Sequence, residues 1–182
     1  RELLYHPSEN NYTGDKIQFE YKEVFIEVDK DINLKSWFLE KDLKKYKTIL
    51  YFHGNAGDLT NRVHKLNELN KLNVNILIIS WRGFSGNPGK PTEKNLYNDA
   101  KKSVEWLNEA GVKNKNIILY GESLGTGVAT ELGQDNSFAG IILESPFTSI
   151  ADAAKIYYPY LPIDLLIKDR YDSSKKIKNI NT

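Results

Sequence analysis

Four short apolar runs punctuate the middle of the chain: Thr48-Ile49-Leu50-Tyr51-Phe52, Ile76-Leu77-Ile78-Ile79, Ile117-Ile118-Leu119-Tyr120 and Ile141-Ile142-Leu143. A half-buried strand alternates apolar and polar residues, whereas an unbroken short run suits a strand covered on both faces, as in a parallel sheet. Between the runs the period changes. Leu59 to Leu72 places Val63, Leu66 and Leu69 at helical spacing, and Glu93 to Ala110 places Leu96, Ala100, Val104 and Leu107 on one face. Pro91-Thr92 is a start signal for that second helix and Gly111 a stop. A third helical stretch, Ser123 to Leu132, begins directly after a strand. Strand and helix therefore alternate from about residue 48 to 143, the signature of a mostly parallel, doubly wound α/β sheet.

The flanks follow other rules. Residues 1–15 are polar and turn-rich, with Pro7 and Gly14, and read as an irregular lead-in. Val24 to Val28 alternates and Leu34 to Leu39 is apolar-rich; with Lys30-Asp31 between them they predict an antiparallel hairpin at the sheet edge. Residues 146–170 break the α/β rhythm. Their aromatics and prolines (Phe147, Tyr157, Tyr158, Pro159, Tyr160, Pro162) predict a helix plus loop lying lid-like over one end of the sheet. No repeat, linker or low-complexity tract divides the chain, so residues 1–182 read as a single domain.

Composition narrows the function classes. Lys+Arg 25 against Asp+Glu 24 leaves a formal charge of +1, which points to neither nucleic acid nor an anionic membrane as partner. With zero cysteines, disulfides, thiolate catalysis and Cys-based metal sites are excluded. No apolar run approaches the roughly 18 residues needed to span a bilayer. The first residue is Arg1 and there is no methionine, so any membrane association would come from a segment preceding Arg1, and localisation stays open.

The chemistry concentrates in Gly121-Glu122-Ser123-Leu124-Gly125. A strand turning sharply into a helix strains the central residue, and glycines on either side avoid clashes with the neighbouring strand and helix. Such a turn exposes a serine at the carboxyl end of the sheet, beside the positive end of the helix. A bare G-x-S-x-G also arises by chance, with serine as an ordinary N-cap; here the strand before and the helix after supply the required context. Ser123 is the candidate nucleophile. A tetrahedral intermediate then needs two backbone N–H donors. Leu124 offers one, and Asn55 in Phe52-His53-Gly54-Asn55-Ala56-Gly57 is the best candidate for the other, with Ala56 next. His53, at the end of an earlier strand, reads with Gly54 as bracing the loop rather than as the catalytic base.

With these segments the chain resembles the α/β-hydrolase superfamily, in the branch of compact serine hydrolases that includes α/β-hydrolase-domain thioesterases and depalmitoylases. The matching stretches are YFHGNAG (51–57), WRGFSGNPGKPTE (81–93), YGESLGTGVA (120–129) and LESPFTSI (143–150). LLYHPSEN near the start and YPYLPIDLLIKDRYDSSKKI (158–177) also fit. The resemblance implies a carboxylic ester or thioester hydrolase acting through an acyl-enzyme on a small-molecule or acylated substrate, without metal or organic cofactor. It implies that Arg82-Gly83-Phe84 is a turn near the site rim, against the plainer and favoured reading of a loop with an arginine buttress. A serine peptidase or amidase uses the same machinery, and a non-catalytic binding protein on this scaffold is the alternative from another class.

In this fold the acid and then the histidine follow the serine along the chain. The three histidines, His6, His53 and His64, all precede Ser123. Glu144 occupies a position where some lipases carry their acid, and its alternative reading is a buttressing carboxylate. Asp164, Asp169 and Asp172 read as surface or capping residues. The expectation is therefore a hydrolase domain whose last strands, with the triad Asp and His, lie outside these 182 residues, and a polypeptide inactive by itself.

Overall fold

In a computed structural model that describes residues 4–8 and 13–181, three of the four apolar runs form the middle of a sheet and the fourth its edge. The strands are β1 (His6–Pro7), β2 (Lys22–Asp29), β3 (Ile32–Leu39), β4 (Lys47–Phe52), β5 (Ala56–Gly57), β6 (Val74–Ile79), β7 (Ile117–Glu122) and β8 (Gly140–Glu144). The helices are α1 (Val63–Leu69), α2 (Glu93–Glu109), α3 (Leu124–Gly133), α4 (Ile150–Tyr157), α5 (Ile163–Leu166) and α6 (Ser173–Lys176). Six strands pair in the order β2-β3-β6-β4-β7-β8. β2 and β3 form the antiparallel hairpin and β3 meets β6 antiparallel, while β6, β4, β7 and β8 run parallel. Asp31 makes the hairpin turn at φ 60°.

Helices cover both faces, and the alternation of side chains along each strand sorts the core in two. Ile49 and Tyr51 of β4 join Trp37, Ile76, Ile78 and the α1 residues Val63 and Leu66. Leu50 and Phe52 face the other way, against Leu96, Ala100 and Leu107 of α2 and Val128, Ala129 and Leu132 of α3. This is the α/β-hydrolase arrangement, a mostly parallel sheet with an antiparallel N-terminal hairpin.

Three differences from the sequence reading have local causes. The helix anticipated over 59–72 opens as a 3-10 turn, Leu59–Arg62, and its α-helical part ends at Leu69. Asp58 and Asn61 cap that turn reciprocally, the Asp58 carboxylate accepting from Thr60 N and Asn61 Oδ1 from Asp58 N. Beyond Leu69, the carbonyls of Asn70 and Leu72 accept from Lys41 Nζ. The run Ile141-Ile142-Leu143 lies in the edge strand β8; Ile141 and Leu143 pack on the α3 side, but Ile142 on the opposite face is 43% exposed. The lead-in is also more ordered than its composition implies. β1 pairs parallel with β5, His6 opposite Ala56 and Pro7 opposite Gly57.

The 146–170 stretch contains α4 and α5, with Ile156, Tyr157, Tyr160 and Leu165 turned outward, Tyr160 to 97%. No helix among the described residues is long and apolar enough to cross a membrane.

Candidate active site

β7 runs into α3 through a single residue, Ser123, at φ 49° and ψ −113°. A left-handed φ in a side-chain-bearing residue stores about 1–3 kcal/mol. The sequence makes room for this turn on both sides. A Cβ on Gly121 would stand 2.5 Å from Gly125 O and 2.6 Å from Thr126 Cα, and one on Gly125 would stand 2.0 Å from Phe52 O. The turn is also tied down: Ser123 N donates to Glu144 O at 2.9 Å, while Ser123 O accepts from Thr126 N at 2.9 Å and Thr126 Oγ1 at 2.6 Å. Leu124, the first residue of α3, buries its side chain in the core.

The facing wall is the loop after β4. His53 is fully buried, with its ring against Trp81 and Phe84 at centroid distances of 5.7 and 5.4 Å. Its Nδ1 lies 2.7 Å from Gly54 O. A carbonyl only accepts, so Nδ1 carries the proton, and Nε2 has no hydrogen-bond partner among the described residues. Burial, reinforced by the Arg62 charge, pulls the imidazole pKa down to about 3. The ring is therefore neutral at physiological pH. Trp81 Nε1 donates to His53 O at 3.1 Å. Gly54 is wedged at the centre: a Cβ there would stand 3.2 Å from Glu122 Oε1, 3.3 Å from Arg62 Nη2 and 3.4 Å from Ser123 Cβ. Asn55 is held by the lead-in, its Nδ2 donating to Leu4 O and its carbonyl accepting from His6 N, both at 2.8 Å. Tyr5, between those two, is buried and its hydroxyl contacts Tyr171 Oη at 3.0 Å and Asp169 Oδ2 at 3.2 Å.

Sequence pattern did not single out Arg62 and Lys65, which finish the cleft together with Glu122 and the candidate acid Glu144. Ser123 shares an open cleft with Ala56, Arg62, Lys65, Glu122 and Glu144. Arg62 bonds Glu122, with Nη2 to Oε1 at 2.9 Å and Nε to Oε2 at 3.3 Å, and Tyr51 Oη donates to Glu122 Oε2 at 2.5 Å. Burial pushes the Glu122 carboxyl up, but Arg62 and Tyr51 outweigh it and hold the group below its usual range. The Glu144 carboxylate is engaged by Lys65 and by Tyr120 Oη at 2.6 Å; Lys65, then Tyr120, lower its pKa. Arg62 and Lys65 flank Val63 in Asn61 to Lys65, a stretch otherwise polar that looks like any solvated helix start.

Of the other acids, Asp164 pairs with Lys155 and Arg170 on the surface, and Asp172 with Lys175 and Arg170. Asp169 is buried and accepts from Glu93 N at the start of α2. Arg82 is likewise a buried strut, its Nη2 and Nε bonding Asp99 Oδ1 at 2.6 and 2.8 Å. Among the described residues no cluster of three or more His, Asp or Glu is placed to hold a metal. A separate, largely apolar cavity of about 470 Å³ is lined by Leu4, Ile150, Tyr158, Leu161, Ile163 and Leu166. Leu4 joins it to the Asn55 loop.

Residues 47–181 match the family model described as the alpha/beta hydrolase fold. An uncharacterized protein of Mycobacterium tuberculosis is 33% identical over 184 residues, covering 100% of this chain and 66% of that protein. Protein bem46 of Schizosaccharomyces pombe is 33% identical over 158 residues, 84% of this chain and 53% of that protein. The lysophosphatidylserine lipase ABHD12 of Danio rerio is 34% identical over 138 residues, 69% of this chain and 36% of that protein. The chain thus spans less than two thirds of these relatives' length. Among solved structures, an alpha-beta hydrolase from Vibrio vulnificus superposes with a TM-score of 0.73 at 22% identity, over 93% of this chain and 66% of that one. A Pyrococcus furiosus esterase superposes with a TM-score of 0.66 at 23% identity, over 98% and 70%. At such identities the likeness is one of fold.

Proposed function

The chain belongs to the alpha/beta hydrolase fold family, and we propose that it carries the nucleophile of a hydrolase that cleaves carboxylic esters or thioesters through an acyl-enzyme on Ser123. The observation that carries this reading is the backbone of Ser123, left-handed at φ 49° between a strand and a helix. A structural N-cap has no use for that strain, whereas a nucleophile gains an exposed hydroxyl at the helix start. The name of one relative, a lysophosphatidylserine lipase, points to the same bond class.

The steps follow from the two walls. Ser123 Oγ attacks the carbonyl carbon, its proton passes to a base, and the carbonyl oxygen becomes an oxyanion. Leu124 N–H on the elbow wall and Asn55 N–H on the loop wall stabilise that charge. The leaving alcohol or thiol takes a proton as the tetrahedral intermediate collapses, and water releases the acyl group by the reverse sequence. The apolar cavity next to Leu4 suits the acyl chain. Glu144 is the candidate acid, and its engagement by Lys65 and Tyr120 equally favours a buttress of the cleft.

The base is the open element. No histidine follows Ser123 in the sequence, and His53 is buried with its Nδ1 proton on Gly54 O. The 182-residue polypeptide is therefore expected to turn over esters poorly. That same observation favours a second reading, a binding protein on the hydrolase scaffold. A fluorophosphonate probe and p-nitrophenyl esters separate the two when applied to protein expressed from the complete reading frame. Labelling and turnover lost in Ser123→Ala support the hydrolase; no labelling of the unaltered protein overturns it.

A further inference from the structure

Arg62 reaches both walls of the cleft at once. On the elbow wall its Nη2 and Nε hold the two carboxylate oxygens of Glu122, the residue immediately before Ser123. On the loop wall its Nη1 donates to Ala56 O, the residue immediately after Asn55, at 2.7 Å and to Asp58 O at 3.3 Å. Tyr51 Oη holds Glu122 from inside the sheet. The guanidinium is buried, and Gly54 fills the space between it, Glu122 and Ser123 so closely that a single added Cβ would touch all three. Each side of the guanidinium is committed to a different wall.

We infer that Arg62 is a positioning residue that sets the separation between the elbow and the Asn55 loop, and with it the separation of the two oxyanion donors. The inference rests on the Ser123 reading above. The donors belong to peptides flanking the clamp: Leu124 lies two residues after Glu122, and Asn55 directly before Ala56. Both must meet one oxygen whose charge develops only in the transition state, so their spacing matters to kcat far more than to substrate binding. A planar fork with five donors can hold a carboxylate and a carbonyl in fixed geometry; a lysine ammonium on a flexible stem cannot. Charge alone is therefore not the function of the position.

Arg62→Lys and Arg62→Met test this in protein expressed from the complete reading frame. Active-site titration with a fluorophosphonate counts the competent molecules, so that unfolded material does not enter the rate. We expect kcat per titrated site on a p-nitrophenyl ester to fall about 10- to 100-fold in both variants, the loss typical of misplacing reacting groups by about an ångström. KM should stay within about two-fold, as when an interaction made only in the transition state is removed. Arg62→Lys retains length and charge and keeps the test open should Arg62→Met fold poorly. A kcat per site equal to that of the parent, with only a lowered melting temperature, makes Arg62 a structural strut and overturns the inference while leaving Ser123 in place. An unaltered protein that neither labels nor turns over removes the Ser123 reading itself, and the inference with it.

Discussion

Gly125 approaches Phe52 so closely that a methyl group on its Cα would stand 2.0 Å from the Phe52 carbonyl oxygen and 2.6 Å from its carbonyl carbon. The contact joins the first turn of α3 to the end of β4. Both obstructing atoms are backbone, so no rotamer change relieves the clash. Gly125→Ala is expected to cost about 3 kcal/mol or more, the upper end of overpacking penalties. In a domain of this size that lowers the melting temperature by roughly 6–12 °C, read by thermal denaturation. A parent-like melting temperature would mean that helix and strand separate more easily than the contact implies.

Ser123 illustrates a trade between stability and chemistry. Ser123→Gly removes the left-handed strain and adds the entropy of a glycine, for a net gain of about 1 kcal/mol. Ser123→Ala keeps a Cβ and hence the strain, so it should melt with the parent. Both variants lose fluorophosphonate labelling. Equal melting temperatures for the glycine and alanine variants would argue against stored strain at the elbow.

His53 makes the fold acid-sensitive. Its imidazole titrates at about 3 when folded, while in the unfolded chain it titrates near the ordinary 6.5. Between those values the unfolded state binds a proton that the folded state refuses. The contribution is thus complete above pH 6.5 and is lost as the pH falls, at about 1.4 kcal/mol per pH unit. Urea unfolding at pH 7, 6 and 5 measures the slope. His53→Asn, which keeps a donor near Gly54 O, should flatten it; an unchanged slope would assign the acid sensitivity elsewhere.

Asp99 and Arg82 are both buried and bonded to one another. Asp99→Ala leaves the buried guanidinium facing the exposed Asp29 carboxylate at 3.6 Å and should cost about 3 kcal/mol, the lower end of the usual penalty for breaking a buried pair from one side. Adding Arg82→Met should recover part of that loss, because the buried charge goes with it. Additive losses in the double variant would show that the pair is not coupled.

The fold was legible because its signals are local. Apolar runs such as Thr48–Phe52 suit strands covered on both faces, and Thr92 and Gly111 mark the ends of α2 within a residue or two. The elbow was legible for the same reason: a strand, two glycines and a helix are consecutive in the chain. Arg62 was not, since its partner Glu122 lies 60 residues away and the string around it has the polarity of a surface turn. The pairing of β1 with β5 escaped as well. Two residues carry no period, and the match is made by the tether on Asn55 rather than by side-chain pattern.

That tether has a mechanical side. Leu4 and His6 grip the Asn55 loop, and Tyr5 between them grips Asp169 and Tyr171 on the way out of the 146–170 segment. Three consecutive residues thus form a crossbar between the Asn55 loop and the Asp169–Tyr171 stretch. A load applied upstream of Leu4, by a fusion partner or by attachment to a surface, arrives first at the crossbar and not at the sheet. Pulling on the chain from that end would load the Asn55 loop ahead of the six-stranded sheet.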